Sequence, residues 1–363
     1  MVEAPLILAL HEDTNANAAL LRGQEVIAAV AEERLSREKY QAGFPARAVA
    51  GVLALGGVGL HDVDALVAGN RFHFLPRLPG GERLLGGEHD LLGPSHKAWL
   101  ALQAHLPGEG PLARVAEGLS RRGLARRLGR VPVLVDHHSA HAWSAYLTSP
   151  FPEALAVSVD NMGDGFAART FDAAGGRLRP LWSSAATASP GQFYGEISQL
   201  LGFHLLMAGK VTGLAARGDW RRAYGAMERL IGLRDGDTDF TLPPLWSKGR
   251  RRGALAELAA FSREDVAAAA QRRLEDVLVA YVRRGLRETG RRHLVLAGGV
   301  FANVLVNHRL WSLPEVEGLF VHPAMSDQGI AVGAALGWLA AQGQATPRPI
   351  PHVFLGPGYP EDE

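Results

Sequence analysis

The chain's first hydrophobic run, PLILAL (5–10), gives way to the polar segment HEDTNANA (11–18). ALLRGQEVIAAVAEE follows as two apolar stretches joined at Arg22-Gly23-Gln24, the pattern of a hairpin. The same layout returns later as ALAVSVD (154–160), the polar loop NMGDG (161–165), FAARTF, a turn at Ala174-Gly175-Gly176, and RLRPLWSS. The two stretches share an order of elements and little sequence, so the layout predicts a duplicated domain. Helical periodicity follows each, over ARAVAGVLALGG (46–57) and GQFYGEISQLLGF (191–203). A longer amphipathic helix runs from about Ser262 to Thr289, opened by Ser-x-x-Asp and closed by Gly290. Next come the strand LVLA, a Gly298-Gly299 turn, and a helix predicted to carry Asn303 and Asn307 on one face. Residues 319–338 repeat the idea with LFVHPA, the loop MSDQG and IAVGAALGWL. The pattern predicts a first α/β unit over 5–150, interrupted by an irregular excursion at about 71–112 that is rich in Gly, Pro and His. A second unit covers 151–342, and the extended, proline-rich 343–363 reads as a linker to a further domain.

Composition narrows the function classes. With 363 residues, a net charge of +1 and 47% hydrophobic residues, the chain is neither a polybasic DNA binder nor disordered. The absence of cysteine excludes disulfides, zinc fingers and thiol nucleophiles, which fits a cytoplasmic enzyme. The N-terminal apolar run is too short and too soon broken by charge for a signal peptide or a membrane span. RRGLARRLGR (121–130) and SKGRRR (247–252) read as solvated faces. Only four of the 38 basic residues are lysines, which gives Lys210 some weight as a functional candidate.

Candidate chemistry centres on Asp-His-His-Ser-Ala-His (136–141). His137 and His141 stand one helical turn apart, so both imidazoles face one point and suit a divalent ion. Asp136 suits the N-cap of that helix. The alternative is a polar helix start with His138 exposed and the other two satisfied by hydrogen bonds; spacing alone leaves both open. Asp327, in MSDQG, is the natural third ligand or, alone, a helix N-cap. Two imidazoles and a carboxylate suit Fe(II) or Zn(II), with positions left for substrate oxygens. Gly298-Gly299 suits close approach of a phosphate or nucleotide, or simply tight strand-to-helix packing. Asn303 and Asn307 could meet a ribose or base edge. Asp160, Gly163 and Asp164 form a turn that could position a metal-bound phosphate, or an ordinary Asn/Gly turn.

EERLSREKYQAGFP (32–45), HHSAHAWSAYLTSPF (137–151), GKVTGLAARGD (209–219), LAGGVFANVLVN (296–307) and PAMSDQG (323–329) in this order resemble the nodulation-type and antibiotic-tailoring O-carbamoyltransferases. The resemblance covers roughly residues 5–360. It implies a duplicated actin-like ATPase (ribonuclease H-like) α/β fold with a central cleft, shared with the tRNA threonylcarbamoyl transferases. In that family carbamoyl phosphate and ATP give a carbamoyl-adenylate in a C-terminal domain, and the actin-like domain passes the carbamoyl group to a substrate hydroxyl. The resemblance makes His137, His141 and Asp327 the metal ligands, with iron the expected ion and zinc the second choice. It puts Asp160, Gly163 and Asp164 on the phosphate side, and Gly298, Gly299, Asn303 and Asn307 on the adenosine side. Lys210 would face the nucleotide or the acceptor.

Two departures shape the expectation. Relatives carry a loop histidine, a plausible base, where this chain has Thr14. His11, Glu12 and Asp13 are the candidates to replace it, His11 first because an imidazole suits base work near neutral pH. The sequence also stops at LGPGYPEDE, where relatives continue, which leaves three readings open: the adenylate-forming domain is a separate partner chain, the sequence is a fragment, or the activity has drifted. The leading expectation is carbamoyl transfer to a small-molecule or sugar hydroxyl. Threonylcarbamoyl transfer to tRNA and a non-catalytic nucleotide-binding subunit are the alternatives.

Overall fold

In the computed structural model, which describes residues 4–72, 110–234, 236–242, 253 and 256–358, each hydrophobic layout builds a five-stranded sheet. The first contains β1 (Leu6–His11), β2 (Asn17–Arg22), β3 (Glu25–Ala31), β4 (Ala65–Gly69) and β5 (Val133–Val135), in the order β3-β2-β1-β4-β5. β1 to β3 form an antiparallel meander, and β4 and β5 add in parallel beyond β1. The second contains β6 (Glu153–Gly163), β7 (Phe166–Ala174), β8 (Arg177–Ala185), β11 (His293–Ala297) and β12 (Gly318–Val321), in the order β8-β7-β6-β11-β12. It repeats the meander and the parallel pair, so the duplication read from the pattern is present in the topology. A small hairpin, β9 (Gly232–Arg234) with β10 (Asp239–Thr241), lies apart from both.

The first unit carries α1 (Glu32–Ser36), α2 (Ala46–Leu55) and α3 (Pro111–Leu128). The remaining helices are α4 (His137–Leu147), α5 (Pro190–Leu200), α6 (Gly209–Ala215), α7 (Trp220–Glu228), α8 (Arg263–Thr289), α9 (Val304–Trp311) and α10 (Ile330–Ala341). β1 is buried along its whole length, as expected of a central strand covered on both faces. α8 has the expected ends: the Ser262 side chain accepts from Asp265 N at 3.1 Å, and Gly290 is left-handed.

Between the sheets the units exchange helices. α4 follows the first sheet yet packs on β6 and β11 of the second, and α10 follows the second sheet yet packs on β1, β2 and β4 of the first. The two helices also pack on each other. A Cβ on Gly333 would fall 1.9 Å from Ala140 O, and one on Gly337 would fall 2.5 Å from the Trp143 ring, so only hydrogen side chains permit this approach.

One local reading changes. The expected loop at 161–165 contracts, because β6 continues to Gly163 past a register shift and only Asp164 and Gly165, both at positive φ, make the turn. Within the expected excursion, 73–109 lies outside the described residues, as does 247–252, and residues 111 and 112 already belong to α3. Through residue 358 the tail returns over the first unit. Thr346 exchanges hydrogen bonds with the Gln24 amide, and Leu355 O accepts from Ala29 N of the edge strand β3 at 3.0 Å. No helix among the described residues is long and apolar enough to cross a membrane.

Candidate metal centre

Two carboxylates fix the start of α4. Asp136 caps it, accepting from Ser139 N at 2.8 Å, and Asp164 accepts from His137 N at 2.8 Å. His137 and His141 then share a face, with ring centroids 4.7 Å apart at 81°. His137 Nδ1 lies 2.8 Å from Asn70 Oδ1, an acceptor, so Nδ1 carries a proton and, in the neutral ring, Nε2 keeps the lone pair. His141 Nε2 lies 3.1 Å from Asp160 Oδ2 and 3.4 Å from Asp327 Oδ1. His137 Nε2 lies 3.7 Å and 3.8 Å from the same two oxygens. His137 Nε2 and Asp327 Oδ1 are buried and have no hydrogen-bond partner.

These donors fit a divalent ion. Ligand atoms about 2.1 Å from one ion at tetrahedral angles stand about 3.4 Å apart, and the four spacings bracket that value. His137, His141, Asp160 and Asp327 are the described group whose donors converge in this way, all within 4.8 Å of one another. The electrostatics agree. Burial opposes charge on His137, yet the neighbouring Asp160, Asp327 and Asp164 carboxylates push the ring up to about 9. Burial also opposes charge on Asp160, but the two histidines beside it hold it well below the usual carboxylate range. Asp327 is raised by burial and by the Asp160 charge beside it.

Two glycines make the convergence possible. A Cβ on Gly163 would fall 2.2 Å from the His137 ring. Gly298, at φ 102°, donates to Met325 O at 2.6 Å, and a Cβ there would fall 2.2 Å from Val159 O. The ends of β6 and β11 and the loop bearing Asp327 therefore meet, at the C-terminal ends of parallel strands where α/β sheets bind ligands. The centre opens into a cleft of about 670 Å³ walled by both units, with Gly163, Gly191 and Gly299 bringing backbone to its surface. At its far side Tyr194, Thr212 and Asn303 join a network through Gln271: Tyr194 donates to Gln271 Oε1 at 2.6 Å and Asn303 Nδ2 donates to it at 2.8 Å.

The family model of the carbamoyltransferase N-terminus matches residues 113–242 and 245–336. The chain belongs to this carbamoyltransferase family. It is 32% identical over 355 residues to the nodulation protein NolNO of Sinorhizobium fredii, covering 95% of this chain and 49% of that protein. It is 29% identical to the tRNA N6-adenosine threonylcarbamoyltransferase of Bordetella avium, covering 69% of this chain and 74% of that one. The chain thus spans about half the length of its nodulation relative. Among solved structures, component A of (R)-2-hydroxyglutaryl-CoA dehydratase from Acidaminococcus fermentans aligns with a TM-score of 0.54 at 14% identity, covering 94% of this chain and 99% of that one. Full-length HypF, in a phosphate- and nucleotide-bound form, aligns with the same score at 13% identity, covering 92% and 55%. Both likenesses are of fold, the actin-like ATPase fold expected from the motifs.

In this carbamoyltransferase-family chain some expected site residues stand elsewhere. Asp160, expected on the phosphate side, joins the metal group, because β6 lies beside β11 and carries it past Gly298. Asp164 is not on the cleft wall: its carboxylate accepts from Arg71, Phe72 and His137 N. Burial and the Asp136 charge push it up to about 6. His138 is buried, between Ser158 Oγ at 2.8 Å and Phe166 O at 3.0 Å, and burial lowers it to about 3. Asn303 is the N-cap of α9 and lines the cleft, whereas Asn307 donates to Phe301 O and does not. His11 is fully buried, its nitrogens 3.0 Å from Gly69 O and 3.2 Å from Thr14 O, and 3.9 Å behind Asp327. It is not on the cleft wall, where Asp13 and Thr14 are. Lys210 is exposed, with Nζ 5.8 Å over the Phe203 ring, next to the cleft-lining Gly209. Sequence reasoning passed over Asn70; it immediately follows β4, the strand-end position from which site residues of α/β sheets come.

Proposed function

We propose that this chain transfers a carbamoyl group from carbamoyl-adenylate, the product of carbamoyl phosphate and ATP, to a hydroxyl of a small molecule or sugar. The observation that carries the reading is the convergence of His137, His141, Asp160 and Asp327, with unpaired buried donor atoms, at one end of a cleft sized for a nucleotide. A divalent ion held there, iron or zinc, would act as a Lewis acid on a phosphate oxygen and ease departure of AMP. Asn70 keeps the His137 lone pair turned toward the centre, and His11 backs Asp327. The backbone at Gly163 and Gly299 on the cleft surface would meet phosphate oxygens, and Asn303 with Tyr194 would offer polar contacts to the nucleoside. Asp13, a carboxylate on the cleft wall outside the metal group, would take the proton of an incoming hydroxyl in place of the buried His11.

The test supplies carbamoyl-adenylate to the iron- or zinc-loaded chain with a panel of sugars and polyols, and follows AMP and O-carbamoyl product by mass spectrometry. Product formation is expected; bound metal and nucleotide without AMP release sinks the catalytic reading. One observation favours a non-catalytic nucleotide-binding subunit, namely Thr14 and a sealed His11 where a loop base is expected. The same assay with threonylcarbamoyl-adenylate and unmodified tRNA tests the activity named for the Bordetella relative.

A further inference from the structure

We propose that Asn15 recognises the carbamoyl group itself, pairing its carboxamide with the amide of the bound donor; this rests on the carbamoyl-transfer reading above. Asn15 lies on the cleft wall and is only 8% exposed, and its Oδ1 is buried without a hydrogen-bond partner. A buried acceptor left without a donor is costly, and on a cavity wall a ligand's N–H or O–H repairs it. Asn15 has φ 60°, a left-handed conformation that Asn, Asp and Gly accept most readily. That backbone demand explains the residue type but not the unpaired oxygen.

The loop is tied to the metal centre. Asn17 Nδ2 donates both to Asn15 O at 2.9 Å and to Asp327 O at 2.8 Å, so one buried side chain joins the segment bearing Asn15 to the ligand loop. In carbamoyl phosphate and in carbamoyl-adenylate the carbamoyl carbon is bonded directly to a phosphate oxygen. A donor with its phosphate at the Asp160 and Asp327 end therefore brings its amide to the adjacent wall. A primary amide presents C=O and N–H side by side, the complement of a carboxamide. Asp13 beside it offers acceptors alone when ionised. Asn15 thus selects a carbamoyl over an acetyl group, whose methyl leaves Oδ1 unpaired.

Calorimetry on the metal-loaded chain with carbamoyl phosphate, acetyl phosphate and inorganic phosphate tests this. The wild-type chain is expected to bind carbamoyl phosphate on the order of tenfold more tightly than acetyl phosphate. Asn15→Gly, which keeps the backbone conformation and removes the acceptor, is expected to lose that preference, whereas Asn15→Asp, which keeps an acceptor for the amide N–H, is expected to retain it. The ratio of the two acyl phosphates cancels any effect of the new charge on phosphate binding. Wild-type protein that binds phosphate without the preference, an Asn15→Gly variant that retains it, or an Asn15→Asp variant that loses it, overturns the inference alone. Wild-type protein that binds none of the three overturns the metal–phosphate reading, and this inference with it.

Discussion

Metal binding at the four-residue centre must expel a proton from His137. Its ring is pushed up to about 9, against the opposition of burial, by the neighbouring Asp160, Asp327 and Asp164 carboxylates. A divalent ion needs the Nε2 lone pair, so proton and metal compete. At pH 7 roughly one ring in a hundred is free, which weakens apparent metal affinity by about 2.7 kcal/mol relative to alkaline solution. Apparent association should therefore rise close to tenfold per pH unit between about pH 7 and 8 and level off above about 9. Chelator competition across this range reads the slope, and calorimetry in buffers of different ionisation enthalpy counts the proton. For the metal-free fold the sign reverses. A histidine raised from 6.5 to about 9 stabilises the folded state fully below pH 6.5, and that contribution is lost as pH rises through about 9. The term amounts to about 3 kcal/mol. Metal-free protein should unfold at a lower temperature at pH 9 than at pH 6.5, while metal-loaded protein should not follow that fall. Affinity that is flat from about pH 7 to 8.5, with no proton released, refutes the reasoning.

Other substitutions separate ligands from supports. Asp160→Ala should cost metal affinity as heavily as His141→Ala, each beyond the roughly 10- to 100-fold typical of an outer-shell change; metal retained at full affinity by Asp160→Ala, measured by equilibrium dialysis, would return Asp160 to a phosphate role alone. Asn70→Ala, which leaves His137 Nδ1 without its acceptor, should weaken metal binding by that same roughly 10- to 100-fold while leaving the melting curve of metal-free protein close to wild type. Gly163→Ala drives a methyl into the His137 ring, so visible spectra of cobalt-substituted protein should change; an unaltered spectrum counts against the packing argument. Asp164→Asn replaces a carboxylate that serves three backbone N–H groups, and should cost about 1–3 kcal/mol in urea unfolding with nucleotide affinity unchanged.

What the sequence disclosed was local. Glycines at 23 and 175–176 punctuate alternating runs, so both meanders and the duplication were legible, as was the shared face of His137 and His141 one turn apart. The exchange of α4 and α10, the return of the tail to β3 and the sealing of His11 by Gly69 O each depend on partners far away in the chain. Asp160 shows the difference most clearly. Its own turn reads equally as a phosphate contact, and only the parallel pairing of β6 with β11 sets it against both histidines. The shared face expected of Asn303 and Asn307 did not form for another reason: a side chain three residues before a free N–H caps a helix as readily as it extends one, and here Asn303 accepts from Val306 N while Asn307 turns to Phe301 O.

The exchanged helices bear directly on what the centre requires. α4 supplies His137 and His141 while seated on the second sheet, and α10 leads away from Asp327 while seated on the first. Asn17 of β2 bonds Asp327 O and accepts from Ala331 N, so the first sheet also fixes the ligand loop of the second. Each unit thus holds the other's ligands in place. A chain cut near residue 150 would keep both histidines in one piece but strip α4 of the sheet that buries it, and would divide the ligand set two and two. The metal geometry is therefore a property of the docked pair of units, in which α4 must stay seated on the second sheet and Asn17 of the first must hold the loop that bears Asp327.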